Sequence, residues 1–331
     1  MTGGKMDEVV EAHKKEYGEA PDVVAVAPGR FHLIGEHSWF FKDKTLSMAV
    51  NLPVYVAVSR RDDANLRFRF VQLDDSKRAS ISSLKFRKED KWANALKSVV
   101  SGFTSGGFDC CGMNFTVWSD ILPSAGFGIT TAIKIASAWA IKELCRLRCR
   151  RVELLQVIER ANRLYYGIAN LKADNFTPVY SKEGCVVLTD YSKNECEVIP
   201  FKFKDKTVIL TDARVPRITT WNEGSLQQPE NVLLLGELRE TRSTVPGGWR
   251  YEENESERNE VLSVVDEDTR RRLLCVIEEH KCVLDAYAGI MEGDFAAFAR
   301  AVKKSHENMR DLYDISCPEI DWILKRVQEL D

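Results

Sequence analysis

The order in which strand and helix patterns follow one another constrains this chain more than any single segment does. An amphipathic helix at residues 6–17, ended by Gly18, leads into three stretches rich in apolar and β-branched residues: VVAVAPGRFHLI, TLSMAVNLPVYVAVSRR and LRFRFVQL. Val23–Ala27 is a continuous apolar run, the pattern of a buried strand, and Pro28-Gly29 punctuates it. LRFRF alternates apolar and basic residues, as a half-exposed strand does. Lys91–Val100 has helical spacing, Gly102–Gly112 reads as loop, and MNFTVWSDI as a further strand. Two helices come next, Thr130–Arg148 and Val152–Tyr166; in the first, Ile133, Ala136, Ala140, Leu144 and Leu147 recur at helical spacing. CVVLTDY and TVILTDA read as short buried strands. Residues 242–260 read as a surface loop or lid, the acidic run 252–267 as an exposed segment, and the remainder as mostly helical. Strands and helices that come in runs predict two α+β domains rather than a regularly alternating parallel sheet.

Composition narrows the function classes. Lys plus Arg number 47 and Asp plus Glu 50, a net charge of −3. That balance gives no support to nucleic acid or a membrane surface as the main partner. No apolar run reaches the ~18 residues a membrane span needs. The polar N-terminus does not read as a secretory signal. The nine cysteines are odd in number and contain no CxxC, and the five histidines lack ligand spacing to a cysteine pair. Free thiols in a reducing cytoplasm are therefore expected, rather than a disulfide framework or a zinc site.

Three segments could carry chemistry. Ala27–His37 (APGRFHLIGEH) places Arg30, His32, Glu36 and His37 within eight residues after a strand; solvated charges on a tight turn are the bland alternative. Leu122–Ala132 (LPSAGFGITTA) opens directly into the long helix. There glycines permit close backbone approach, and a helix N-terminus with its unpaired N–H groups suits phosphate, with Thr130 and Thr131 placed to cap the helix or hold a magnesium ion. It is not a P-loop, because no Gly-Lys-Ser/Thr follows, and from this segment alone a simple turn before a helix is the commoner reading. In Tyr166–Asn175 (YGIANLKADN), Asp174 sits in a polar turn, where it could also serve as an N-cap.

Together these segments resemble the galactokinase branch of the GHMP small-molecule kinases. APGRFHLIGEH with the following LSMAV is similar to the signature APGRVNLIGEHTDYNGG with its LPMA. LPSAGFGITTA stands where the family has P-x-G-A-G-L-S-S-S-A. Gly167–Asn175 stands where it has G-x-x-C-G-I-M-D-Q, with Asp174 in register with the catalytic aspartate. GDFAAFARAVKKSHENMRDLYDISCPEID is similar to a segment of the family's C-terminal domain. The resemblance implies an α+β GHMP kinase fold. Its mixed-sheet N-terminal domain would span residues 1–205 and its ferredoxin-like C-terminal domain residues 206–331, the latter lacking the glycine-rich signature that closes the family pattern. It also implies transfer of the ATP γ-phosphoryl group to the anomeric hydroxyl of a hexose, with ATP and Mg2+ as cofactors and a cytoplasmic location. The partners would be sugar and ATP, with no nucleic acid and no membrane; the oligomeric state is not readable. By the same resemblance Asp174 orients or deprotonates the sugar hydroxyl, and Arg30 keeps Asp174 ionised and steadies the developing charge. Glu36 and His37 bind ring hydroxyls, while Ala125, Gly126, Phe127 and Gly128 wrap the triphosphate with Thr130 and Thr131.

The departures from the family pattern are specific. Trp39 replaces a sugar-binding aspartate and could stack on a sugar face instead, and Gly224 stands where a sugar-contacting tyrosine is expected. The loop glycines fall one step late, at 126 and 128, with Ala125 and Phe127 in the family's glycine positions. Asn162 replaces a metal-binding glutamate, leaving Thr130, Thr131 and Asn162 as the metal set; a neutral amide is a poorer magnesium ligand than a carboxylate. Three readings follow: a sugar kinase whose acceptor is open, a non-catalytic sugar- or nucleotide-binding regulatory protein on the same scaffold, and a GHMP kinase acting on a non-sugar alcohol, against which the GEH motif argues.

Overall fold

The computed structural model describes residues 2–36, 43–121, 126–166, 175–211, 213, 215 and 255–329. They form two compact units. The first comprises Met1–Phe31 and Ser47–Thr189, the second His32–Leu46 and Asp190–Asp331. No helix among the described residues is long and apolar enough to cross a membrane.

Helix α1 (Thr2–Tyr17) precedes strands β1 (Val23–Ile34) and β2 (Lys44–Arg61), whose residues 32–34 and 44–46 belong to the second unit, and then β3 (Asn65–Phe70) and β4 (Asp75–Ser80) of the first unit. Helix α2 (Ala93–Thr104), strand β5 (Gly112–Ser119), helices α3 (Ile129–Leu144), α4 (Arg151–Tyr165) and α5 (Phe176–Tyr180), and strand β6 (Cys185–Asp190) follow. The sheet runs β4-β3-β5-β2-β6, with β1 also paired to β2. It is mixed: β2/β5 and β3/β4 are antiparallel, β3/β5 parallel.

Strand alternation explains the layering. Met113, Phe115 and Val117 of β5 are fully buried on one face, where Phe115 stacks on its register partner Phe68 at 5.3 Å. On the other face Thr116 reaches α1, whose His13 lies 2.9 Å from the Thr116 hydroxyl and 3.0 Å from that of Ser59. Burial pulls the His13 imidazole down to about 4, so it sits there neutral. Helix α2 meets α4 through Gly102: a β-carbon there would fall 2.4 Å from the Val157 carbonyl oxygen.

In the second unit, strand β7 (Glu195–Pro200) is followed by helices α6 (Glu255–Leu262), α7 (Glu267–Glu292), α8 (Phe295–Asp311) and α9 (Pro318–Gln328). Asp266 caps α7 by accepting from the Thr269 N–H, and Gly293 ends it in the left-handed region. Asp294, next in the chain, caps α8 through the Ala297 N–H, so two residues both stop one helix and start the next. Gly289 lets them pack closely; a β-carbon there would lie 2.8 Å from the Phe298 nitrogen.

Several elements differ from the sequence expectation. β1 runs on through Pro28-Gly29 to Ile34, since β2 is its partner in the ladder and a proline on the other side interrupts nothing. Helix α2 extends to Thr104, into the stretch expected as loop. α3 stops at Leu144 rather than Arg148, where Cys145 caps it and Arg146 takes a positive φ of 53°. Residues 255–262, expected as exposed segment, are helical, with Arg258 and Leu262 buried. Residues 207–211 of TVILTDA form no strand, and Ile209 is 81% exposed; a buried-type strand needs a neighbour to cover it, and none pairs with it among the described residues.

The tight α2–α4 approach gives a stability test. Gly102→Ala is expected to cost about 1–3 kcal/mol through overpacking against Val157, whereas Gly4→Ala, with open space around it, is expected to be neutral or stabilising. Urea unfolding of the two variants checks both.

Candidate functional site

Two backbone segments of the first unit are pinned together at Gly29 and Arg30. A β-carbon on Gly29 would lie 2.9 Å from both Ile121 Cδ1 and Val50 Cγ2 and 3.0 Å from the Phe127 carbonyl oxygen. The next residue donates its backbone N–H to that same oxygen at 3.0 Å. Thus β1 holds the loop that enters α3. Gly126 and Gly128 both adopt positive φ, 80° and 68°, a region that glycine occupies without a steric penalty. Gly128 is the N-cap of α3, so neither Thr130 nor Thr131 caps it; Thr130 is exposed and Thr131 buried. The first intrahelical bond runs from the Ala132 N–H to the Gly128 carbonyl. The N–H groups of Ile129, Thr130 and Thr131 are thereby left at the positive end of the helix dipole. Against the same glycine lies the Arg30 guanidinium: a β-carbon on Gly128 would be 3.2 Å from Arg30 Cζ and Nη1. A fixed cation and a set of helix N–H donors therefore converge at one point, a combination suited to an anionic ligand.

In the second unit, Glu36 Oε2 lies 2.8 Å from His32 Nδ1. Gly35, with φ 88°, sits so close to Lys44 that a β-carbon would fall 2.6 Å from its carbonyl oxygen. The Gly35 N–H donates to Glu279 Oε1 at 2.8 Å, and the Ser305 hydroxyl donates to the same oxygen at 2.8 Å. Eight residues after Gly35, Asp43 Oδ1 lies 2.7 Å from His280 Nδ1, both side chains buried. Adjacent residues of α7 thus hold both ends of the 36–42 segment. Burial pushes the Glu279 carboxyl up to about 7, against the pull of its two hydrogen bonds.

A third group lies between α3 and α4. Lys134, flanked by Ile133 and Ile135, is buried, and its Nζ donates to Asn162 Oδ1 at 2.6 Å. Its ammonium stands 4.7 Å from the centre of the Tyr166 ring. A magnesium ion on that amide oxygen would face the ammonium bonded to the same atom. A +2 and a +1 charge ~4 Å apart repel by roughly 8 kcal/mol at an effective dielectric of ~20. Asn162, with its amide oxygen tied to this ammonium, does not fit as a ligand to a divalent cation.

Residues 11–60 match the galactokinase galactose-binding signature, and residues 92–182 match the GHMP kinases N terminal domain. A Treponema pallidum protein provisionally named a galactokinase is 36% identical over 327 residues, covering 98% of this chain and 81% of that protein. The chain belongs to the galactokinase family. A Thermotoga maritima galactokinase is 27% identical over 300 residues, covering 90% of this chain and 80% of its own length. Among solved structures, the Lactococcus lactis galactokinase complexed with galactose superposes with a TM-score of 0.77 at 17% identity, covering 98% of this chain and 84% of that one. The Methanococcus jannaschii mevalonate kinase gives 0.57 at 15% identity, covering 92% and 83%. The fold is that of the GHMP kinases, and the family is one of ATP-using sugar kinases.

Of the site residues expected from the galactokinase pattern, Arg30, Gly126, Phe127 and Gly128 come together, Glu36 pairs with His32, and Asn162 pairs with Lys134. His37, Trp39, Ala125, Asp174 and Gly224 lie outside the described residues. Sequence reasoning missed Lys134, Glu279 and His280. The signal for Lys134 was a single lysine inside an apolar helix run; Glu279 and His280 sit in a run of four polar residues, EEHK, where neither stands out.

Glu279 gives a pH signature. Its folded value of about 7 stands above the ordinary 4.5, so between those values the folded state keeps a proton that the unfolded state has released. Stability from this group therefore falls as pH rises from 4.5 to 7. Glu279→Gln is expected to change the stability difference between pH 5 and pH 8 by up to ~3 kcal/mol, in the direction of a smaller loss at high pH, as read by urea unfolding at the two pH values.

Proposed function

We propose that this chain transfers the γ-phosphoryl group of ATP to the anomeric hydroxyl of a hexose, galactose being the first acceptor to test. The observation that carries the reading is the Arg30 backbone bond to Phe127, which fixes a guanidinium beside Gly128 at the start of α3. Phosphoryl transfer depends mainly on positioning and charge stabilisation, and a preorganised cation with helix N–H donors supplies both. In this reading Ala125, Gly126, Phe127 and Gly128, with the N–H groups of Thr130 and Thr131, wrap the triphosphate, and Arg30 stabilises the charge that develops during transfer. Asp174 orients the sugar hydroxyl and accepts its proton. Glu36 and His37 hydrogen-bond ring hydroxyls, and Trp39 stacks on a sugar face, where it offers no acceptor to a hydroxyl. The one-step displacement of the loop glycines is compatible with this role, because both glycines sit at positive φ where the loop turns.

The test is ADP release with ATP and a panel of hexoses. Turnover with at least one hexose is expected, and no release with any of them from folded protein overturns the reading. Asp174→Asn is expected to lower kcat by about 10²–10⁴-fold. Gly128→Val places a branched side chain at positive φ against Arg30, and at least a tenfold loss in kcat/KM for ATP is expected, with sugar binding unchanged by calorimetry.

A further inference from the structure

Helix α3 is buried all round from Thr131 to Ala138, and Lys134 is the one charged residue in that stretch. Lys134 is 5% exposed. Asn162 is its hydrogen-bond partner among the described residues, and the Tyr166 ring lies beside it. Both partners are neutral, and among the described residues burial is what lowers the lysine, to about 8. An ammonium buried beside neutral groups is costly to keep, so its position has to be explained by something anionic nearby.

That position is in the second turn of α3, the helix that Gly128 opens. Lys134 is the sixth residue of α3 and stands three residues after Thr131, on the same helix face. At ~1.5 Å per residue its Cα is only about 7–8 Å along the axis from Ile129. Helical side chains lean toward the N-terminus, so the ammonium is carried back toward the first turn. Asn162, in the last turn of α4, meets it there.

We infer that Lys134 is a built-in cation of the nucleotide site, supplying from the protein the positive charge that a metal ion held at position 162 would otherwise bring, so that the site takes the phosphate chain of ATP without a protein-held metal. Asn162 orients the ammonium without neutralising it; a carboxylate at 162 would cancel the charge. Lys134 is a positioning residue, acting through its field and through Asn162. Arg30, beside Gly128, is a second fixed cation at the same helix end. The inference rests on the reading of this loop as an ATP site.

Calorimetric titration of ATP, in EDTA and in excess magnesium, decides it. The unmodified protein is expected to bind ATP in EDTA within about fivefold of its affinity with magnesium. Lys134→Leu is expected to weaken binding in EDTA at least tenfold. The double variant Lys134→Leu/Asn162→Glu is expected to bind ATP only when magnesium or manganese is present, a switch in metal dependence that a merely structural lysine would not produce. Loss of more than tenfold in affinity when EDTA is added to the unmodified protein overturns the inference and leaves the kinase reading standing. So does unchanged binding in EDTA by a folded Lys134→Leu variant. The comparison on the unmodified protein holds even if neither variant folds. An absence of ATP binding in both conditions overturns the nucleotide-site reading and the inference with it.

Discussion

The contact that the candidate nucleotide site depends on is a backbone one. The Arg30 N–H meets the Phe127 carbonyl oxygen, and the bare α-carbon of Gly29 lets the two strands of chain come that close. Side chains come second: the guanidinium stands beside Gly128 because its own main chain is tied to the residue before it. Nothing in this arrangement needs the loop to carry glycines at the family's usual places. It needs them where the chain turns through positive φ, and in this chain those places are 126 and 128. A loop that looks degenerate as a motif is intact as a turn.

Buried titratable groups hydrogen-bonded to neutral partners recur in both units. Lys134 is held by an amide and an aromatic ring, Glu279 by a backbone N–H and a hydroxyl, and His13 by two hydroxyls. In each case desolvation is the largest cause and shifts the group toward its neutral form, at Glu279 against two hydrogen bonds and at His13 against the nearby Glu19 and Asp22 carboxylates. The linkages oppose one another. His13 makes stability rise with pH between about 4 and 6.5, while Glu279 makes it fall between 4.5 and about 7. A flat pH profile of the whole protein would therefore conceal two steep ones.

Local patterns made most of the fold legible. The alternation in LRFRF and the apolar face of TTAIKIASAWA depend on near neighbours, and β3 and α3 lie where those patterns put them. TVILTDA failed because an apolar run states only that a segment wants cover, not that cover is present. β1 outran its Pro-Gly punctuation because a strand paired on one side tolerates a missing donor on the other. At the site, Arg30 and the Gly126–Gly128 loop could be named from motif order, yet their joining depends on a bond across 97 positions of chain. The grip of Glu279 on Gly35 spans 244 positions and has no local signature. Lys134 could have been found: one charge in a helix face otherwise buried is a query that the periodicity itself poses.

Glu279 and His280 follow one another on α7, and one grips Gly35 while the other grips Asp43. On a helix, adjacent side chains diverge by about 100°, so α7 reaches Gly35 and Asp43 in two different directions. A rigid helix cannot move one anchor relative to the other. Rotation or sliding of α7 carries Gly35 and Asp43 as one body, like two fittings on one shaft. The separation of those two anchor points is set once, when α7 folds, and stays constant whatever else the helix does.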